Sequence, residues 1–428
     1  MKRILVSFFV FVGAACSSTP TQVVDPNAPK FTTDVQPIFE AKCVACHMQG
    51  GIAPFSLTTF AEAQPHAVAI KAAVTARVMP PWPPDDSCTP YEHDRSLTQQ
   101  QIDTIAAWVD GGVQQGDPNA KGTPIPSTFS TLSRTDLSLQ MPVAYTPSLT
   151  PDDYRCFMID WPATTTKFVT GLGIKPGDVA IVHHAIVFLA TPDQLATYQS
   201  LDAQDATPGW QCFGGPGADL KSLQFGWVGA WAPGSIGSDF PEGTGIEIPP
   251  GSKLVLQMHY NTLASPPAPD QTSVLLKVDD TVTKKAAVIP FTNPDWVTSM
   301  TMDIPAGAPD TMHSYAIDLS PYASYLTNGV LASNQPFTVY GAGLHMHTHG
   351  TQATTSIIRA NKTNECMLTI PRWDFHWQGS YGFTTPKVVS PGDQLSVECH
   401  WANGGKTALN WGETTEDEMC LSSYYVTQ

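Results

Sequence analysis

The chain has 428 residues, a net charge of −16 and only 22 lysines and arginines, which argues against a nucleic-acid-binding surface built on basic patches. Charged residues are just 14 % of the total while glycine and proline number 32 and 38, a balance that suits short strands joined by turns better than long helices. The length allows two to three domains with ample core.

Lys2 and Arg3 lead into the apolar run Ile4 to Val12, followed by Gly13-Ala14-Ala15-Cys16. The run is too short to span a bilayer, so residues 1–16 read as a cleaved signal peptide. Cys16 behind small residues resembles a bacterial lipoprotein signal. The expectation is an exported protein of the bacterial periplasm or outer membrane, touching the membrane only through a lipid on Cys16. The alternative is ordinary secretion, with Cys16 discarded. No later run is apolar enough for a transmembrane helix.

Thr33 to Lys42 has helical spacing, with Val35, Ile38 and Phe39 apolar, and leads into Cys43-Val44-Ala45-Cys46-His47. Two thiols and a histidine in this spacing are a covalent haem attachment motif, with His47 as an iron ligand. Leu97 to Val109 is a second helix, with Thr98 and Gln101 forming a capping box and Gly111-Gly112 ending it. Between the helices lies Arg77-Val78-Met79-Pro80-Pro81-Trp82. Residues 31–115 resemble a class I cytochrome c. That resemblance implies one covalently bound haem c and makes Met79 the sixth iron ligand, with His66 and His93 as rivals. Residues 116–133, rich in Pro, Ser, Thr, Gly and Asn, read as a linker.

From about 134 the pattern is β. Runs such as Lys253 to Tyr260, Val274 to Val278 and Gln394 to Cys399 are short and bounded by Pro, Gly or Asp. Nearly 300 such residues predict two sandwiches, 134–285 and 286–428, with the boundary around 281–290. The predicted fold is multidomain: a small all-α cytochrome c domain, then two all-β antiparallel, jelly-roll-like sandwiches.

Four clusters stand in the β region: His183-His184, Gln257-Met258-His259, His345-Met346-His347 and Met419-Cys420. On a strand, the spacing of His345 and His347 puts both on one face, ready to share a metal. Each cluster alone is weak; a pair such as His183-His184 also suits two satisfied core histidines. Together, and in this order, they resemble the copper type II ascorbate-dependent monooxygenases over roughly residues 150–428. The resemblance implies two copper ions. His183, His184 and His259 would hold an electron-storing copper; His345, His347 and Met419 would hold a catalytic copper across an interdomain cleft. The donor types agree, since imidazole suits both copper oxidation states and a thioether favours Cu(I). By the family pattern His349 is not a ligand, and His313, His376 and His400 are structural.

Six of the nine cysteines remain once Cys16, Cys43 and Cys46 are assigned, and six allow 15 pairings. The family resemblance pairs Cys420 with Cys399. Cys156 with Cys212 is a further expectation, which leaves Cys88 and Cys366 paired or free.

The chain departs from the amidating members of that family. Gly343 stands where they carry an arginine, and Leu421 and Ser423 stand where they carry asparagine and tyrosine. A peptide terminus is therefore not the expected substrate. The resemblance implies a copper-dependent monooxygenase that hydroxylates a C–H bond of an organic substrate with dioxygen. Its electrons would come through the fused haem from an ascorbate-like reductant or a periplasmic redox protein. The alternative is a non-catalytic copper-binding or electron-transfer protein.

Overall fold

Proline tolerated at a helix start and side-chain caps shape the N-terminal part. Helix α1 (Gln36–Lys42) follows a π-helical turn, Phe31–Val35, and carries Pro37 in its first turn. Two helices not foreseen from the pattern follow, α2 (Phe60–Ala63) and α3 (Ala67–Thr75). Helix α4 (Gln99–Asp110) starts at Thr98, whose side chain accepts from the Gln101 backbone while the Gln101 side chain accepts from that of Thr98. Trp108 of α4 packs edge-on against Phe39 of α1 at 6.3 Å between ring centroids. These helices share one apolar core, which includes Phe31, Ile38, Ile105 and Trp108.

The structure is a computed structural model that describes residues 24–217, 226–235, 237–263 and 265–428. The expected signal segment and Cys16 lie outside the described residues. Among the described residues no helix is long and apolar enough to cross a membrane.

Residues 116–133 have no regular structure, yet they are not a free tether. Gly122 donates to Thr32 O at 3.2 Å, and Ile125 packs against the helical core. An added Cβ on Gly122 would lie 2.1 Å from Thr33 O, so only glycine allows this approach.

Beyond the linker the chain is mostly strand. The first ten are β1 (Leu137–Gln140), β2 (Asp152–Asp160), β3 (Lys167–Lys175), β4 (Val182–Ala190), β5 (Trp210–Gln211), β6 (Trp227–Trp231), β7 (Ser238–Asp239), β8 (Thr244–Ile248), β9 (Lys253–Asn261) and β10 (Ser273–Asp279). The remaining eight are β11 (Lys284–Phe291), β12 (Thr311–Ile317), β13 (Phe337–His345), β14 (Gly350–Ile358), β15 (Asn364–Ile370), β16 (Gly379–Val389), β17 (Gln394–Trp401) and β18 (Leu421–Thr427). A short helix, α5 (Leu195–Gln204), lies between β4 and β5.

Two sandwiches form, but they share a sheet. One nine-stranded sheet runs β1-β10-β3-β8-β11-β18-β13-β16, with β7 added on β3. Its first part is faced by the sheet β5-β2-β9-β4-β6 and its second part by β12-β17-β14-β15. The join is a short parallel pairing of β11 with β8, Lys284 opposite Thr244 and Lys285 opposite Gly245. It fixes the two sandwiches side by side.

Strand β9 shows why some runs are continuously apolar. Leu254, Leu256, Met258 and Tyr260 enter the inter-sheet core, while Val255 faces a second small core with Tyr198 of α5, Trp210 and the Cys156–Cys212 disulfide. Both faces are covered, so alternation disappears. The other two bridges are Cys399–Cys420 and Cys88–Cys366, and the latter fastens the N-terminal unit to the second sandwich.

Candidate metal centre

The histidines of the first sandwich meet because of strand register. His259 on β9 lies opposite His184 on β4 and opposite Tyr154 on β2. Neighbours on a regular strand point to opposite faces, so His183 and His184 would be split. A register shift between Val182 and His184 inserts one residue and lets both imidazoles reach the His259 face. Nδ1 of His184 lies 3.2 Å from Nδ1 of His183 and 3.2 Å from Nδ1 of His259. Tyr154 stacks on His259 at 4.0 Å, and Phe375 stacks on His183 at 4.4 Å.

Their hydrogen bonds fix which nitrogens are free. His259 Nε2 donates to Asp152 Oδ1 at 2.9 Å, so in the neutral ring Nδ1 carries the lone pair. Asp152 also accepts from Asn261 Nδ2 at 2.9 Å and from Thr415 Oγ1 at 2.6 Å. Burial alone would raise the Asp152 carboxyl, but these bonds hold it well below the usual carboxylate range. Burial lowers the pKa of His183, His184 and His259, so all three are neutral near pH 7. Three Nδ1 atoms therefore converge with too few protons to bond one another. A cation at their centre relieves this: about 2.0 Å bonds in a tetrahedral arrangement put ligand nitrogens roughly 3.3 Å apart. The donor set fits a metal of imidazole preference.

The second group comes from the end of the other sandwich. Strand β13 ends at His345, opposite Leu421 of β18, so His347 lies just past the strand instead of on it. The two rings are nonetheless 5.1 Å apart and perpendicular. Gln378 donates to Phe375 O, which presents its Oε1 to His345 Nδ1 at 2.5 Å and leaves His345 Nε2 free. His347 Nδ1 donates to Asp417 O at 3.2 Å, and its buried Nε2 has no partner among the described residues. Burial drops His345 to about 4 and holds His347 well below the usual imidazole range.

Met419 is buried immediately before Cys420, whose disulfide to Cys399 of β17 pins that segment. Glu418, fully buried, accepts from the backbone N–H groups of His347 at 2.9 Å and His349 at 2.6 Å, and from Trp401 Nε1 at 2.8 Å. Burial pushes its carboxyl up to about 7. It ties the histidine turn to the methionine segment.

The two groups are not separated by a cleft. His184 and His345 are 5.9 Å apart between ring centroids, so the five histidines form one continuous cluster. Asp152 of the first sandwich bonds Thr415 of the second beside it. His184, His345 and Met419 line one cavity of about 410 Å³ between the sandwiches. Of the residues named here, Asp152, Gln378 and Glu418 had no assigned role from sequence. Only Glu418, two residues from Cys420 and next to Met419, carried a local signal.

In the N-terminal unit Cys43 and Cys46 are the cysteines without a disulfide among the described residues. Burial pushes the Cys43 thiol up to about 12. His47 Nδ1 donates to Phe55 O at 3.0 Å, which leaves Nε2 as the free donor atom. Phe55 lies 4.8 Å from His47 and stacks on His66 at 3.9 Å. Met79 is half-buried after α3, and His93 faces the cavity of the sandwiches. Unpaired thiols beside an imidazole with a free Nε2 fit a haem.

Residues 302–427 match the family model of the copper type II ascorbate-dependent monooxygenase C-terminal domain. DBH-like monooxygenase protein 1 of Gallus gallus is 24 % identical over 199 residues, covering 45 % of this chain and 31 % of that protein. DBH-like monooxygenase protein 2 of Mus musculus is 25 % identical over 213 residues, covering 46 % and 32 %. The chain thus spans about a third of the length of these relatives. Among solved structures, N-glycanase F aligns at 13 % identity with a TM-score of 0.31, covering 68 % of this chain and 95 % of that one. The family model thus relates residues 302–427, within the second sandwich, to the copper type II ascorbate-dependent monooxygenases.

Proposed function

We propose that this protein is a copper-dependent monooxygenase that hydroxylates a C–H bond of an organic substrate with dioxygen, drawing electrons through a haem c on Cys43, Cys46 and His47, with Met79 as the expected sixth ligand. The observation that carries the reading is the convergence of five neutral imidazoles, three of them through adjacent Nδ1 atoms, in one cluster beside a cavity that His184 and His345 line. His183, His184 and His259 would hold one copper; His345, His347 and Met419 would hold the other. Bound copper would supply dioxygen activation and one-electron transfer.

The chain's own contributions follow from the geometry. Asp152, Gln378 and the Asp417 carbonyl set the tautomers that aim ring nitrogens inward. Tyr154 and Phe375 hold two rings in place by stacking and keep water from them. A thioether at Met419 favours the reduced metal. Burial raises the Cys46 thiol and the nearby Arg95 charge opposes this, and Arg95 also lines the cavity, so the expected haem-attachment segment and the cavity share a neighbour. Exported location is in keeping with three disulfides.

The test is metal analysis together with oxygen uptake. Purified protein should carry two coppers besides haem iron. Met419→Ile should keep most histidine-bound copper yet abolish substrate-coupled oxygen uptake. His183→Ala should weaken copper binding at the three-histidine group and also stop turnover. Coupled hydroxylation that survives Met419→Ile would remove Met419 from the site.

A further inference from the structure

The cavity beside the histidines is not built by the sandwiches alone. Trp82 and Arg95, from the segment between α3 and α4, line it together with Phe129 of the linker. Arg95 is clamped: its guanidinium lies 5.6 Å from the Trp82 ring and 5.7 Å from the Phe129 ring, and it donates to Gly234 O. Trp82 in turn packs edge-on against Tyr381 of β16 at 5.3 Å.

The segment that carries Trp82 and Arg95 is fastened along its length. Asp85 N donates to Thr369 O at 3.0 Å and Glu92 N donates to Gly382 O at 2.8 Å. Between them Cys88 is bonded to Cys366, and Tyr91 is buried in the core of the second sandwich. This is a fixed wall.

Charge is scarce inside it. Arg95 is already engaged, and Asp239 is paired with Lys277 at 2.5 Å. Glu92 is exposed, and Glu413 accepts a backbone bond from Gly214. The wall also carries a small residue: an added Cβ on Gly343 would lie 2.8 Å from Ser423 Oγ and 3.0 Å from Ser380 Oγ. A larger side chain there would need these hydroxyls to shift.

Resting on the monooxygenase reading for what happens to the bound molecule, we propose that the N-terminal unit is part of the substrate site. Trp82 and Phe129, splinted by Arg95, form the wall that selects a neutral, ring-bearing apolar substrate of small-molecule size. Aromatic walls offer offset or edge-on contacts to a ring, and an uncharged ligand leaves no ion to desolvate without a partner. The cavity volume of about 410 Å³ lies within the range of small-molecule sites.

Equilibrium titration of the full-length holoprotein with naphthalene, 1-naphthoate and 1-naphthylmethylammonium tests this. Naphthalene should bind at least tenfold more tightly than either charged analogue. Trp82→Ala and Phe129→Ala should each weaken it at least fivefold, with copper content and far-ultraviolet circular dichroism unchanged. Phe129→Ala serves if loss of Trp82 disturbs folding. Tighter binding of a charged analogue, or binding within twofold of the parent in well-folded variants, would overturn the proposal. Copper content and oxygen uptake are read separately. A protein that binds naphthalene as described but takes up no copper would sink the monooxygenase reading and leave this wall standing.

Discussion

Replacing Asp152 by asparagine probes the support of the first histidine group. The carboxylate accepts on both oxygens: Oδ1 from His259 Nε2 and Asn261 Nδ2, each at 2.9 Å, and Oδ2 from Thr415 Oγ1 at 2.6 Å and Thr415 N at 3.3 Å. Asparagine has one acceptor oxygen. If that oxygen faces His259, the tautomer is kept and the new NH₂ can donate to Thr415 Oγ1, but it opposes the Thr415 N–H. If the amide flips, His259 Nε2 must accept, the ring proton moves to Nδ1, and the nitrogen facing His184 is blocked. Loss of such a supporting partner lowers metal affinity about 10–100-fold, or about 1.4–2.8 kcal/mol. Asp152→Ala should do more harm to stability, because it strands several donors around the fully buried His259 at about 1–3 kcal/mol for each one left unsatisfied. Competition titration of Cu(I) against a chromophoric chelator gives the affinity, and thermal unfolding gives the stability. A folded Asp152→Ala protein that holds copper within twofold of the parent would refute the tautomer argument.

Three further outcomes are expected. Protein matured with haem should keep its haem absorbance after denaturation, and Cys43→Ala with Cys46→Ala should abolish it. With both sites filled by Cu(II), the contact of His184 and His345 at 5.9 Å predicts magnetic coupling, read as integrated paramagnetic resonance intensity below that of two isolated ions; full intensity would place the ions far apart. Burial pushes the Glu413 carboxyl up to about 7, and a carboxyl raised in the folded state contributes stability that is fully present below the ordinary carboxyl range and lost as pH rises through about 7. The difference in unfolding free energy between the parent and Glu413→Gln should therefore change by up to about 3 kcal/mol between pH 4 and pH 8, in the direction of a less stable parent at high pH. A difference independent of pH would show that Glu413 is not buried as described.

Sequence signals are legible where the physics is local. Thr98 and Gln101 announced the start of α4, because a cap needs only residues three apart. The helices Phe60–Ala63 and Ala67–Thr75 are not evident from the pattern, the first being a single turn held by its cap. The histidine candidates were legible as residue types in order, but not their geometry. The bulge that turns His183 toward His259 depends on a partner strand some 75 residues away in sequence, and His347 lies beyond the end of β13. Asp152 and Gln378 act on histidines 107 and 33 residues distant, so no spacing could reveal them. The expected cleft closed up because a two-residue parallel pairing of β11 with β8 sets the sandwiches side by side, and nothing in either strand's own pattern signals it.

The bridge between Cys88 and Cys366 turns most of the chain into a covalent ring, closed across 278 residues. A protease that cuts once within 116–133 would not release the helical unit; both pieces would migrate together on a gel until a thiol reductant is added. During synthesis the ring can close only after Cys366 has emerged, so the helical unit must wait, unfastened, for nearly the whole polypeptide to follow it.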